Sequence, residues 1–341
     1  MENIEQLSAF YKRRGFTGRL FGGYMLLEKN FSTILRTGSF VLIPYAIVMA
    51  VSLVWLFDTI QTVVSPANMA AWMQTPGAFA DALLPVAMQG LVCFLVLLIG
   101  MCVWQALVFG MFRKYVELGY VPSMKMKAWF SWMSRDIWRY FLYALFSLFF
   151  WIVVEAILYM LVTVNGWLGL VMLPVMLYCA VIFLLFPYFY MIERETLWDA
   201  FLHAFRKGTP TWGTTFSIGL VAGIIVGVFT LICSMPMYVT VLIDNLVAKS
   251  IIDGNVPELP SYYVALKILC YAIYVYAGAL GMVFVESPLL FHYASVVSPD
   301  KEKMLADARA EYERLKAERA RQAAEKEREA AIRDGAAYKP W

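Results

Sequence analysis

Apolar residues gather into six runs along the chain, approximately 39 to 57, 84 to 112, 140 to 163, 167 to 191, 214 to 243 and 262 to 291. A helix needs ~18 to 20 apolar residues, rising 1.5 Å each, to cross a ~30 Å hydrocarbon layer. All six runs meet that length. Those of 29 or 30 residues exceed it, which predicts tilt, a kink at Gly or Pro, or projection beyond the lipid. The pattern predicts an all-α polytopic membrane bundle of six transmembrane helices. It divides into an amphipathic N-terminal segment (1–38), a transmembrane domain (39–296) and a charged C-terminal helix and tail (297–341).

The polar intervals have a pattern of their own. Before each odd-numbered run stands a short segment in which aromatic and cationic residues recur at helical spacing. The first carries Leu20, Phe21, Tyr24, Leu27, Phe31, Ile34 and Leu35 with Arg19, Lys29 and Arg36. The second has Trp129, Trp132, Ile137 and Trp138 with Arg135 and Arg139; the third has Phe201, Leu202, Phe205 and Trp212 with Arg206 and Lys207. Aromatic rings favour the membrane interface and basic groups meet anionic headgroups, so these segments read as interfacial amphipathic elbow helices. Each elbow followed by a two-span hairpin gives three elbow-hairpin units, the outline of an internal repeat. The same aromatic and basic mixture suits single-stranded nucleic acid, but adjacent membrane spans favour lipid.

Composition supports the membrane reading and narrows the chemistry. Of 341 residues, 61% are hydrophobic and 16% charged, with a mean hydropathy of +0.66, far from the mix of water-soluble domains. Cys93, Cys102, Cys179, Cys233 and Cys270 all lie within apolar runs at irregular spacing and read as packing residues, not metal ligands. Two histidines leave little material for metal or acid–base work. No phosphate-binding loop, paired-carboxylate hydrolase site or nucleophile elbow is present, which points away from an enzyme, a metal centre and a cofactor.

Charge sets the expected orientation. Residues 1–38, 113–139, 192–213 and the tail after 296 hold 26 of the 28 Lys and Arg residues; Lys249 and Lys267 are the exceptions. Cations are retained on the cytoplasmic side, so both termini are expected in the cytoplasm, in agreement with an even number of crossings. The first run follows 38 polar and amphipathic residues and is not succeeded by a small-residue cleavage site, which argues against a removable signal peptide.

The run RRGFTGRLFGGYMLLEKNFSTILRTGSFVLIPYAI and the second-span endings LVFGMFRKYVE, LLFPYFYMIERE and VESPLLFHYASV resemble uncharacterised bacterial polytopic membrane proteins and the membrane domain of some glycerophosphodiester phosphodiesterases. The resemblance implies a bacterial inner-membrane protein. In those phosphodiesterases a separate soluble barrel is catalytic, and this chain has no segment long enough to form one.

Among polar residues inside the runs, Glu155 lies ~22 Å along the third span. An acid at that depth serves an ion or proton pathway, or is protonated and hydrogen-bonded within the bundle, for which Tyr159 is one turn away. Glu286, Ser287, Pro288 and His292 gather near the end of the sixth span, where Pro288 frees a backbone carbonyl and makes room for a polar cluster or a kinked helix end. Glu286 and His292 are about 240° apart around a regular helix, so without a kink they do not form a pair. His203 reads as an interfacial side chain more than as a base. Gly219, Gly223 and Gly227 place three positions without side chains on one face of the fifth span, where another helix can approach.

Residues 299–334 alternate ten acids with ten cations, including the pairs Asp300 with Lys303 and Glu318 with Arg321. That pattern predicts a solvated helix able to dock a protein partner. Leu305, Ala308, Tyr312 and Leu315 start a heptad seam that Arg319 and Gln322 end. The leading functional expectation is a membrane scaffold or assembly partner that rests on anionic lipid and binds no nucleic acid. The alternative is a small transporter or channel using Glu155.

Overall fold

The computed structural model describes residues 2–64, 78–123, 126–252 and 259–337, and among these the chain is all helical with no strand. The helices are α1 (Glu2–Phe10), α2 (Phe16–Val63), α3 (Ala78–Leu118), α4 (Met126–Val164), α5 (Gly166–Phe183), α6 (Phe186–Met191), α7 (Leu197–Gly208), α8 (Trp212–Ile252) and α9 (Tyr263–Ala337). A 3-10 turn, Thr209–Thr211, joins α7 to α8. Among the described residues six helices are long and apolar enough to cross a membrane, which makes the chain a multi-pass membrane protein.

The three elbows are built differently. No proline separates the first or second elbow from its span, so the backbone ladder continues and each elbow becomes the opening turns of α2 or α4. In the third, Pro210 supplies no N–H and the chain turns through the 3-10 segment, leaving α7 as a separate helix. Thr196 caps α7 by accepting from the Asp199 amide at 3.2 Å, and Arg206 and Lys207 occupy its last turn, complementing both ends of the helix dipole. The fourth apolar run likewise divides into α5 and α6 at Leu184–Leu185, with Pro187 near the start of α6.

Burial is concentrated at one end of the bundle, here termed the basic end, where the Lys- and Arg-rich intervals meet. Trp104, Trp129, Tyr188, Tyr293, Phe112 and Phe186 are fully buried there. α2 packs along α9, α3 along α2, and α8 also along α9. α2 and α9 come together closely at Gly23, where an added Cβ would lie 2.3 Å from the Pro288 backbone nitrogen. Pro288 is accommodated without ending α9, which runs through the 296/297 boundary as one helix.

The second hairpin is packed quite differently. From Ile152 to Val164 only Val154, Leu158 and Leu161 of α4 are half-buried, and in the first turns of α5 the covered residues are Gly169, Met172 and Met176. Gly169 lies against Val162 and Leu158. The far half of this hairpin therefore packs on itself and leaves its remaining surface open.

At that far end Lys267 is 5% exposed and ion-paired to Asp58 of α2 at 2.6 Å and to Asp244 of α8 at 2.7 Å. Tyr263 donates to Asp244 at 2.8 Å. One of the two cations outside the basic intervals is thus neutralised by two carboxylates and ties three helices together, while Lys249 is exposed.

Candidate functional site

The densest polar arrangement at the basic end is built on three consecutive residues, Glu193, Arg194 and Glu195, between α6 and α7. Arg194 has φ 58, the one non-glycine in the left-handed region among the described residues, and this bend sends the three side chains to different partners. Glu193 accepts from Lys301 at 2.5 Å, from Tyr11 at 3.4 Å and from Tyr293. Arg194 donates to Asp136 at 3.2 Å. Glu195 faces His203, with both carboxylate oxygens 2.9 Å from Nδ1. Burial, reinforced by the Glu193 carboxylate, pushes the Tyr11 phenol well above its ordinary range.

Beside this bend lies a cavity of about 200 Å³ lined by Phe189, Glu193, Glu195, His203, Lys207, Val297, Asp300 and Lys301. Lys207 donates to Asp300 at 2.6 Å. A carboxylate facing Nδ1 requires a ring proton there, and only in the neutral ring is the other nitrogen an acceptor. That dyad is half of a general-base arrangement, but none of the residues lining the cavity is a Ser, Thr or Cys. Its charged groups pair with one another, and together with Tyr11, which follows α1, they join the N-terminal segment, α7 and α9. The arrangement is a latch across the basic end, with chemistry suited to holding helices.

The second elbow supplies the neighbouring network. Asp136, with 2% of its side chain exposed, receives both guanidinium nitrogens of Arg113, at 3.3 and 2.9 Å. Arg139 donates to the backbone carbonyls of Tyr190 at 2.6 Å and Glu195 at 2.8 Å and stacks over the Tyr190 ring at 4.2 Å. Trp129, expected at the lipid interface, is fully buried, and Arg135 is exposed. The Trp132 side chain lies outside the described residues. In the third elbow Arg206 is exposed, while Trp212 is partly buried, donates to the Tyr178 carbonyl at 3.3 Å and stacks on Phe216. These elbows turn much of their aromatic and basic material inward.

Glu286 and His292 enter separate networks. His292 Nδ1 lies 2.9 Å from an Arg19 guanidinium nitrogen, which only donates, so Nδ1 accepts and the ring proton sits on Nε2. Nε2 is 2.7 Å from Thr215 Oγ1, which itself donates to the Thr211 carbonyl at 3.0 Å. His292 therefore links α2, α8 and α9. Glu286 instead faces α3, α4 and α6: its carboxyl lies near Gln105, and Tyr188 donates to its backbone carbonyl at 2.7 Å.

Glu155 lies on the exposed surface of α4, away from Glu286, and Tyr159 beside it is 72% exposed. Gly219 lies against Leu184, whose Cδ1 would be 3.1 Å from an added Cβ, whereas Gly223 and Gly227 face open space. Gly223→Leu is expected to change stability by less than about 0.5 kcal/mol, measured by thermal unfolding in detergent, because nothing is displaced. Gly219→Leu is expected to lower it. Along the heptad seam of α9 Leu305 is buried and Tyr312 and Leu315 are exposed. Arg314 pairs with Glu318 at 3.2 Å, and Asp300 pairs with Lys207.

Asp136, Gln105 and the bend at Arg194 carry no one-dimensional signal, since their partners lie tens to more than a hundred residues away. The alternating charges of the ERE triplet were the sole local hint. No protein-family model matches the chain, and searches of curated proteins and of solved structures find no significant match.

Proposed function

We propose that this chain is a non-enzymatic assembly partner of the bacterial inner membrane, with both termini in the cytoplasm and its second hairpin as the membrane-embedded contact. The observation that carries this reading is the far half of α4 and α5, which packs only on itself and presents Glu155 on its open surface. An acid within the hydrocarbon layer is costly unless it faces protein or water, and membrane helices associate through such polar groups. A neighbouring membrane helix laid against this face would remove Glu155 from lipid and cover the exposed Ile152 and Tyr159 on the same stripe. The solvated part of α9 adds a second docking element in water. The latch at the basic end holds α9 against α7, so the two elements keep a set relation. The likeness to the phosphodiesterase membrane domain then concerns architecture alone.

A photo-crosslinking residue at position 152 or 159 is expected to give protein adducts heavier than the 38.8 kDa chain in intact membranes. The same residue at Leu158, which faces α5, should give none. Lipid adducts alone from positions 152 and 159 would remove this reading.

A further inference from the structure

α2 and α8 each pack along α9 but meet one another little. Polar ties join the three helices at two levels. At the basic end His292 of α9 lies 2.9 Å from Arg19 of α2 and 2.7 Å from Thr215 of α8. At the far end Lys267 of α9 pairs with Asp58 of α2 and Asp244 of α8. Between these levels runs a groove of about 460 Å³, lined among others by Ile43 and Ile47 from α2, Phe229 and Cys233 from α8, and Ile273 and Tyr276 from α9.

The groove offers a ligand no free polar partner. Its lining is made of Ile, Leu, Ala, Phe, Cys and Tyr, and the Tyr276 hydroxyl is taken up by Ser39 at 2.8 Å. Water or a polar solute would be left unpaired there, so the filling is apolar.

Charge along the same face of α2 says which apolar molecule fits. Positions 29, 36, 43 and 47 fall within about 40° of one another around a regular helix, so Lys29 and Arg36 stand on the stripe that leads into the groove. Both are exposed, and neither has an ion pair or hydrogen bond among the described residues. Glu28, the one acid of α2 before Asp58, is set about 100° around the helix from Lys29. Arg36 precedes the apolar run that begins at 39, and Ile43 lies about 10 Å deeper along the helix. From the basic end inward the order is two cations and then an apolar groove, which matches an anionic headgroup with its acyl chain below it. A neutral lipid or a second protein helix would cover the groove without using either cation.

We propose that this groove holds one acyl chain of an anionic phospholipid whose phosphate lies against Arg36 and Lys29. The site goes beyond the assembly reading, which rests on Glu155 and the hairpin of α4 and α5. Bound there, the lipid fills the gap between α2 and α8 midway between their two polar ties.

The test uses the full chain in phosphatidylcholine nanodiscs carrying a trace of phosphatidylglycerol with a photoreactive diazirine in its acyl chain. Adducts are mapped by mass spectrometry after illumination. They are expected on the groove residues of α2, α8 and α9, and added unreactive phosphatidylglycerol should compete them away where phosphatidylcholine of the same chains does not. Lys29→Gln combined with Arg36→Gln should lower their yield about fivefold or more. Both side chains are exposed, so this exchange disturbs no packing. Cys233→Trp fills the groove and should abolish the adducts, while Ile232→Trp, at an exposed position one residue away, should leave them. The proposal is overturned by adducts that survive Cys233→Trp or fall equally in Ile232→Trp, by a double charge variant that keeps the parent yield, or by equal competition from phosphatidylcholine. A parent protein without groove adducts, as a second copy seated there would cause, overturns it too. Where Cys233→Trp does not fold, the competition and the double charge variant decide. None of these outcomes bears on protein crosslinks from positions 152 and 159.

Discussion

Gly23→Val is expected to prevent α2 and α9 from closing on one another. A Cβ at position 23 would lie 2.3 Å from the Pro288 nitrogen and 2.6 Å from both the Pro288 Cα and the Ser287 carbonyl carbon. All three are backbone atoms, so no rotamer change relieves the overlap and one helix must shift bodily. Overpacking of ordinary cores costs about 1–3 kcal/mol and occasionally more; with backbone as the obstacle, a loss of about 3 kcal/mol or more is expected. The displaced segment also leads to His292, so the Arg19–His292–Thr215 link would be disturbed with it. Thermal unfolding and size-exclusion behaviour in detergent check this. Gly90→Ala, where an added Cβ meets nothing within 4 Å, provides the control.

Asp136→Ala is expected to have the second large effect. The carboxylate receives Arg113 at 2.9 Å and Arg194 at 3.2 Å, and the side chains of Asp136 and Arg113 are only 2% and 10% exposed. Removing one member of a buried ion pair leaves charge in a medium that solvates it poorly, at a cost of about 3–5 kcal/mol. The loss also frees Arg194 at the bend that sets Glu193 and Glu195, so the latch should loosen with it. Unfolding by heat or denaturant measures the first consequence, and faster proteolysis of the chain after residue 301 the second. Arg206→Ala, at an exposed position of the third elbow, should stay within about 0.5 kcal/mol of the parent protein.

The elbows show where reading residues in order reaches its limit. Their helical periodicity is real, since Leu27, Ile34 and Trp129 do lie on helices with one buried face. What covers that face differs from the expectation. Asn30 accepts from the Val121 amide at 2.8 Å, Gly22 abuts Phe291, and Gly38 abuts Trp104, so protein occupies the position assigned to lipid. An apolar stripe has the same spacing whichever apolar medium it meets. The glycine stripe divides as well: an added Cβ at Gly219 would meet Leu184, while one at Gly223 or Gly227 would meet nothing within 4 Å.

The sequence by itself determined how many apolar helices there are, their approximate limits and the side on which cations accumulate. Helix length and the cost of bare backbone in lipid are properties of each segment alone, so these features need no partner. Tertiary structure alone decided which polar groups meet. It placed Asp136 between two arginines, gave Lys267 to Asp58 and Asp244, separated Glu286 from His292, and left Glu155 on an open hairpin. A buried polar group is stabilised by whatever donor or acceptor stands opposite it, and that neighbour is set by how the helices pack and not by position along the chain.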